Sequence, residues 1–94
     1  MEVSPCSVTR EIRVRVSPKK YLYPDLLVYC GEPQLTDEVE DTITNPKVIV
    51  EVLSPSTANY DQGGKFRLYQ QLPSFEEYVL VSQDTPRVEV SRKT

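Results

Sequence analysis

The sequence contains no histidine. This absence excludes zinc sites built on histidine and every mechanism that uses a histidine base. No apolar run approaches the roughly 20 residues that a membrane-spanning helix needs, so we expect no membrane association. Residues 1–5 lack a basic region followed by an apolar stretch, and we therefore expect no signal peptide. Any acid–base or metal chemistry must use carboxylates, lysines or tyrosines.

Cysteine is scarce, with Cys6 and Cys30 as the two examples. Their spacing matches no metal-ligand or redox motif. Since we expect no export signal, we interpret both residues as free thiols in a reducing cytoplasm. The expected location of the protein is therefore cytoplasmic.

The chain is short and mildly acidic, with 94 residues and a formal net charge of -3. This length predicts a single domain over residues 1–94. Proteins that bind DNA over their whole surface are normally basic, because lysine and arginine neutralise the phosphates. The charge therefore argues against a DNA-packaging role. It argues less strongly against a nuclease, whose metal site needs acidic groups.

The pattern of apolar and polar residues predicts five strands and one helix. The strands are expected over 8–16, 21–30, 47–53, 77–82 and 87–91, and the helix over 62–72, ending at Pro73. Pro24 has no amide donor, so we expect the second strand to lie at an edge or to carry a bulge. The polar and acidic segment 31–45 is expected to be a mobile loop. Such a succession is typical of an α/β or α+β domain.

Glu51 interrupts the most apolar run of the sequence, 47–53. On a strand, Ile49, Glu51 and Leu53 share one face. A carboxylate there loses hydration, and it therefore needs a cation, a hydrogen-bond donor or a proton. Two interpretations stay open at this point. One is a structural ion pair with a lysine or arginine, and the other is a metal-binding or catalytic role.

Asp25 follows Pro24 near the start of the second predicted strand. Pro-Asp is common in turns, so a turn role is favoured when Asp25 is considered alone. If Asp25 and Glu51 lie on neighbouring strands, their carboxylates repel unless a hard cation such as Mg²⁺ lies between them. That cation could hold a phosphate oxygen and a water, and it would lower the pKa of the water.

Lys65 lies near the middle of an apolar arc on the predicted helix, which also contains Phe66, Leu68, Tyr69 and Leu72. The lysine stem could be buried while the ammonium reaches water. An ion pair with Asp61, four residues earlier, is a second explanation, worth only ~0.2–0.5 kcal/mol. A third is that the ammonium reaches Glu51, where it would orient an attacking water or stabilise charge on a phosphate.

Four segments of the sequence together form a specific motif, although none of them is specific by itself. They are Tyr-Pro-Asp-Leu-Leu-Val at 23–28, Asn-Pro-Lys-Val-Ile-Val-Glu-Val-Leu-Ser-Pro-Ser-Thr at 45–57, residues 61–65 with the following Tyr69, and Glu-Tyr-Val-Leu-Val at 77–81. Together, over about 21–92, they resemble the bacterial restriction-endonuclease-like family of the PD-(D/E)XK nuclease superfamily, formerly a domain of unknown function. The resemblance implies an α/β, restriction-endonuclease-like core. Its sheet would be mixed and mainly antiparallel, with about five strands and one helix after the third strand.

The resemblance also implies an endonuclease that uses Mg²⁺ or Mn²⁺ to hydrolyse DNA. By position, Asp25 matches the metal-binding aspartate and Glu51 the second acid, and the backbone carbonyl of Val52 matches a further metal ligand. The usual lysine two residues after the second acid is absent, because Leu53 stands there. In this family the lysine is thought to have moved to the next helix, which matches Lys65. The implied catalytic residues are thus Asp25, Glu51 and Lys65.

The chain departs from the family in length. Family members usually have a longer N-terminal part, with helices that pack on the sheet, and they usually continue beyond residue 92. We therefore expect a truncated copy in which one face of the sheet is uncovered unless a partner subunit covers it. A homo-oligomer, such as a dimer, is the corresponding expectation.

Three interpretations of function follow. The chain is a metal-dependent endonuclease, or a catalytically inactive truncated member that persists as a folded remnant or a protein-interaction domain, or a domain whose Asp, Glu and Lys form only a structural network. The net charge and the short N-terminal part favour the second. Three polar residues in apolar surroundings favour the first, because each costs stability if it has no role. The first requires the carboxylates of Asp25 and Glu51 to lie within roughly 4–6 Å, with the Lys65 ammonium nearby.

Overall fold

The computed structural model describes residues 5–10, 12–35, 42–53 and 62–93. These ranges contain eight strands and one helix. In chain order they are β1 (Cys6–Thr9), β2 (Arg13–Ser17), β3 (Lys20–Leu22), β4 (Leu26–Cys30), β5 (Thr42–Ile43), β6 (Val48–Leu53), α1 (Gln62–Tyr69), β7 (Glu77–Ser82) and β8 (Val88–Arg92). Among the described residues, no helix is long and apolar enough to cross a bilayer.

The main sheet has five strands in the order β1-β4-β6-β7-β8. Its neighbours are antiparallel except β6 and β7, which run parallel. A parallel pair needs a crossover connection, and α1 lies in this one. The predicted mixed, mainly antiparallel sheet of five strands is therefore confirmed. A smaller second sheet, in the order β3-β2-β5, was not predicted.

The predicted element order needs three corrections. The single strand expected over 8–16 is two strands, β1 and β2, which belong to different sheets and are separated near Arg10, where the alternation breaks. The strand expected over 21–30 is likewise two, β3 and β4, separated around Pro24. These two divisions, together with the unpredicted strand β5, place α1 after the sixth strand and not the third. Of the two parts of the second predicted strand, β4 lies inside the main sheet and β3 at an edge of the second sheet.

Part of the segment expected to be a mobile loop forms a strand instead. Thr42 and Ile43 form β5, pair with β2 and are fully buried. Ile43 also forms a bridge with Leu35. A two-residue strand inside a polar segment gives almost no periodic signal, so the sequence pattern could not reveal it. Residues 36–41 lie outside the described ranges.

The core lies on one face of the main sheet. Leu27, Ile49 and Tyr78 lie side by side across β4, β6 and β7. Aromatic rings from α1 and the turn after it pack on this row, with centroid distances of 5.7 Å for Tyr69–Phe75 and 5.8 Å for Tyr69–Tyr78. Val14 and Ile43 of the second sheet belong to the same buried cluster. The core face thus holds α1 against the centre of the main sheet.

The opposite face of the main sheet is lined by valines, and we call it the valine face. The strand registers align the residues of this face in rows: Val8, Val28 and Val48; Val50, Val79 and Val90; Val52, Val81 and Val88. Four of these side chains are between 46% and 67% exposed, namely Val8, Val52, Val88 and Val90. Contiguous exposed apolar surface is typical of a region that another segment or chain covers.

Cys6 and Cys30 form a disulfide, so the prediction of two free thiols is wrong. The two residues face each other in the antiparallel register of β1 and β4. Their separation of 24 residues in sequence gives no hint of this pairing. The disulfide ties the edge strand β1 to the interior of the sheet.

We expect the double variant Cys6→Ser/Cys30→Ser to lower the free energy of unfolding by about 3 kcal/mol, because it releases the closed loop in the unfolded chain. Urea denaturation under oxidising conditions measures the change. Reduction of the wild-type protein should reproduce the loss, whereas the same reductant should not affect the double variant. Equal urea midpoints for the oxidised wild type and the variant would contradict the expectation.

Candidate active site

Strand β6 carries Glu51 into the core. Ile49 and Glu51 point to the core face, and Glu51 is only 5% exposed. Val52 points to the opposite face and is exposed. This alternation agrees with the faces predicted from the sequence. It places a carboxylate where little solvent reaches it, so the partners of Glu51 determine what the site can do.

Each oxygen of the Glu51 carboxylate accepts a hydrogen bond from a side chain. Lys65 donates from Nζ to Oε1 at 3.1 Å, and the Tyr78 hydroxyl donates to Oε2. The expected contact between Lys65 and Glu51 is therefore present, and the lysine does not extend into open solvent. The alternative pairing of Lys65 with Asp61 involves a residue outside the described ranges.

Helix α1 and strand β7 fix the two donors. Lys65 and Tyr69 are four residues apart on α1 and so lie on the same face of the helix. Phe66, the residue between them that packs on the sheet, stacks on Tyr78 with a centroid distance of 5.8 Å. This packing fixes the position of the Tyr78 ring and of the helix that carries Lys65.

Asp25 lies at the end of the β4–β6 ladder. The final pair is Leu26 with Val50, so continuing the register by one residue places Asp25 opposite Glu51. Residues opposite each other on antiparallel strands point to the same face, with Cβ atoms roughly 4.5–5.5 Å apart. The expected separation of roughly 4–6 Å between the two carboxylates remains a prediction. Asp25 itself is exposed.

The Asp25 carboxylate replaces a missing ladder partner. Its Oδ2 accepts a hydrogen bond of 2.7 Å from the backbone N–H of Val52. The position opposite Val52 in the register is that of Pro24, which is not in the ladder. The N–H and C=O of one strand residue point to the same side. The Val52 carbonyl is therefore directed to the side of β6 on which Asp25 lies.

Two tyrosine hydroxyls complete the site, and neither was predicted from the sequence to have a role in it. Burial raises the pKa of Tyr69, and the charges of Glu51 and Asp25 raise it further. The pKa of Tyr78 is raised by burial, then by its hydrogen bond to Glu51 and by nearby charges that include Asp25. Both hydroxyls therefore remain protonated donors at any working pH. Both carboxylates act on both tyrosines, so the four groups share one electrostatic environment.

Tyr69 has an unusual hydroxyl. The residue is 0% exposed, yet its hydroxyl oxygen has no hydrogen-bond partner among the described residues. A buried polar group without a partner costs free energy, and native proteins seldom leave one without a reason. The hydroxyl lies within the influence of both carboxylates. It is the group a bound water or ligand oxygen at this site would satisfy.

The contact of Tyr78 with the buried acid could have been predicted from the sequence. Tyr78 has the inward parity of β7 and belongs to the quoted Glu-Tyr segment, so a tyrosine facing a buried acid could have been proposed as a donor. Tyr69 gives a weaker signal, because an aromatic residue on the apolar arc of a helix is most often a core residue. Its significance comes from the unpartnered hydroxyl, which a sequence does not show.

The described residues contain no group of three or more His, Cys, Asp or Glu side chains placed to hold a metal ion. A cation at Asp25 and Glu51 would therefore need oxygens of other kinds as well. The Val52 carbonyl is one such oxygen, and water and phosphate supply the others in magnesium sites.

Two Tyr→Phe variants, each of which removes one hydroxyl, compare the contributions of Tyr78 and Tyr69 to the stability of the protein. Tyr78→Phe removes a donor from a buried carboxylate, and we expect it to lower the free energy of unfolding by about 1–3 kcal/mol. Tyr69→Phe removes a hydroxyl that has no partner among the described residues, and we expect no loss or a small gain. Urea denaturation of both variants measures the difference. A loss for Tyr69→Phe equal to that for Tyr78→Phe would show that the Tyr69 hydroxyl is hydrogen-bonded in the folded protein.

Comparison with solved structures supports the fold. The described architecture is similar to the crystal structure of a protein from Anabaena variabilis ATCC 29413, described as "a putative nuclease belonging to DUF820". The TM-score is 0.75 at 17% sequence identity, over 95% of this chain and 51% of that chain. At this identity the similarity shows the fold alone.

Comparison with curated sequences finds two relatives from Synechocystis sp. (strain ATCC 27184 / PCC 6803 / Kazusa). "Uncharacterized protein sll1609" is 43% identical over 75 residues, which is 80% of this chain and 42% of that protein. "Uncharacterized protein slr1290" is 42% identical over 78 residues, which is 83% of this chain and 40% of that protein. The chain thus spans less than half the length of these relatives.

The family itself is settled by a match to a sequence profile. Residues 3–94 match the profile of the Uma2 family, whose description is "Putative restriction endonuclease". The resemblance stated from the four sequence segments is confirmed by this match. With nearly the whole chain covered, this protein belongs to the Uma2 family of restriction-endonuclease-like proteins.

Proposed function

We propose that this chain forms the catalytic core of a metal-dependent endonuclease that hydrolyses DNA phosphodiester bonds. The observation that carries the proposal is the buried Glu51 carboxylate, which is held by Lys65 and Tyr78. Asp25 lies one register step beyond the β4–β6 ladder, anchored to Val52. Two acids and an amine on one side of a sheet match the chemistry of phosphodiester hydrolysis. Membership of the Uma2 family supports the same reaction class.

The residues of the site fit a hard divalent cation such as Mg²⁺ or Mn²⁺. Asp25, Glu51 and the Val52 carbonyl would hold it, because such cations prefer oxygen ligands. The unpartnered Tyr69 hydroxyl supports this fit, since it is a buried donor that a hydrating water or a phosphate oxygen could satisfy. When bound, the cation would polarise a phosphate oxygen and lower the pKa of an attacking water.

The protein groups have distinct parts in this proposal. The Lys65 ammonium stabilises negative charge that develops on the phosphate and helps to orient the attacking water. Tyr78 holds Oε2 of Glu51 and so fixes the direction in which the carboxylate presents its oxygens. Asp25 is exposed and contributes a carboxylate on the side that substrate can reach. The aromatic packing around Tyr69 and Tyr78 keeps these groups in place.

A second candidate function is supported by the valine face. Four of its valines are exposed, and the chain spans less than half of its curated relatives. On this alternative the chain is a catalytically inactive member that binds another protein or a second copy of itself through the valine face. The net charge of -3 also favours a protein partner over DNA for the surface as a whole.

We expect Mg²⁺- or Mn²⁺-dependent cleavage of plasmid DNA by the wild-type protein. Glu51→Gln keeps the shape of the side chain but removes its charge and should reduce cleavage to background. Replacing Lys65 with methionine removes the ammonium and should reduce the rate by about 100-fold or more. Conversion of supercoiled plasmid to nicked and linear forms on agarose gels measures the rates.

The matched control is Glu76→Gln. It makes the same chemical change at an exposed acid that pairs with Lys47 at 3.6 Å on the surface. This variant should cleave as well as the wild type. Equal cleavage by the wild type and Glu51→Gln would remove the enzymatic proposal. A folded wild type that cleaves nothing with either cation would favour the non-catalytic alternative.

Metal binding gives a second measurement that does not depend on turnover. We expect isothermal titration to detect Mn²⁺ binding to the wild type and to Glu76→Gln, and to lose it in Asp25→Asn. The change Tyr78→Phe removes a hydrogen bond to a proposed ligand and should weaken binding about 10-fold or more. Unchanged affinity in Asp25→Asn would show that the cation, if bound, lies elsewhere.

A further inference from the structure

A cleft of about 410 Å³ lies between α1 and β3, and we call it the α1–β3 cleft. Lys20 and Leu22 of β3 form one wall. Residues of α1 and the turn after it form the other: Gly64, Lys65, Arg67, Leu68 and Gln71. Lys65 also belongs to the candidate active site, where its Nζ lies 3.1 Å from Glu51 Oε1. The cleft therefore opens directly beside that site.

The charge of the cleft differs from that of the protein. Three of its lining residues, Lys20, Lys65 and Arg67, are cations, and none of the lining residues in the described ranges is acidic. The whole chain has 11 basic and 14 acidic residues. A cleft lined by one sign of charge concentrates its electrostatic potential and attracts ligands of the opposite sign. The ligand best suited to this cleft is therefore an anion.

The shape and chemistry of the walls favour an extended anion. Lys20 and Arg67 are exposed and stand on opposite walls, so their charged groups can reach a ligand that runs along the cleft. Leu22 and Leu68 supply apolar surface between them. Gly64 has no side chain, which lets a ligand approach the backbone closely. A sugar–phosphate chain, with charged phosphates joined by less polar sugars, matches these walls.

We propose that the α1–β3 cleft binds the DNA backbone next to the scissile phosphate, with Lys20 and Arg67 contacting the flanking phosphates. The inference rests on the proposed nuclease function and names the path by which substrate reaches it. Lys20 and Arg67 are positioning residues that hold the strand, and Lys65 lies where the strand meets the acids. Contacts of this kind fix the register of the DNA without reading its sequence.

The test measures binding of a fluorescently labelled DNA duplex by anisotropy in EDTA, so that no cleavage occurs. We expect Lys20→Ala/Arg67→Ala to weaken binding about 10-fold or more, to the same degree for two unrelated duplex sequences. The slope of log K against log salt should become smaller by about 2, because two phosphates are no longer neutralised by the protein. In the cleavage assay the same variant should raise KM for plasmid more than it lowers kcat.

The matched control is Lys47→Ala/Arg87→Ala. It removes the same number of positive charges from exposed side chains elsewhere, each paired with an acid at 3.6 Å. We expect this variant to bind and cleave like the wild type. If it loses as much affinity as the cleft variant, net charge and not the cleft determines binding, and the inference is overturned.

The two proposals fail in different ways. If the wild type cleaves DNA and Lys20→Ala/Arg67→Ala cleaves it with the same rate and the same KM, the cleft inference is overturned and the nuclease proposal stands. DNA binding that depends on the cleft in a protein with no metal-dependent cleavage would overturn the nuclease proposal and support the cleft as a binding surface. Circular dichroism melting of the double variant checks that the fold is intact.

Discussion

The burial of the Glu51 carboxylate is the constraint on which the rest of this structure depends. A charge in the centre of a sheet is stable only with partners, and here one partner comes from α1 and the other from β7. A buried ion pair is often no more stabilising than apolar residues of the same size. The polar cluster thus supports the catalytic role proposed for it, and the aromatic side chains pack around it.

The sequence predicted the parts of the fold and site that leave a strong local signal. The acid within the run 47–53 and the inward lysine of the helix both conflict with their apolar surroundings, so their contact could be expected. Strand β7 was predicted with the bounds that it has. The resemblance to a nuclease family supplied the metal-binding role expected of Asp25, which a Pro-Asp turn alone does not suggest.

What the sequence could not predict depends on contacts between distant segments. The disulfide requires the register of β1 on β4, and β5 becomes visible only when Ile43 is seen packed beside β2. Strands β1 and β2 belong to different sheets, although the alternation over residues 8–16 is interrupted only at Arg10. The Asp25 contact arises because Pro24 lies outside the ladder and a side chain takes the place of a strand partner. Each of these features depends on a contact between segments that are distant in sequence, and it leaves only a weak pattern in the local sequence.

Because the two acids differ in exposure, the site has an open side and a closed side. Glu51 is closed in by α1 and β7, whereas Asp25 is open to solvent at the end of its strand. Solvent therefore reaches the Asp25 carboxylate directly, whereas it reaches Glu51 only past the side chains of α1 and β7 that enclose it. The difference in depth between the two carboxylates is in this way built into the geometry of two neighbouring strands.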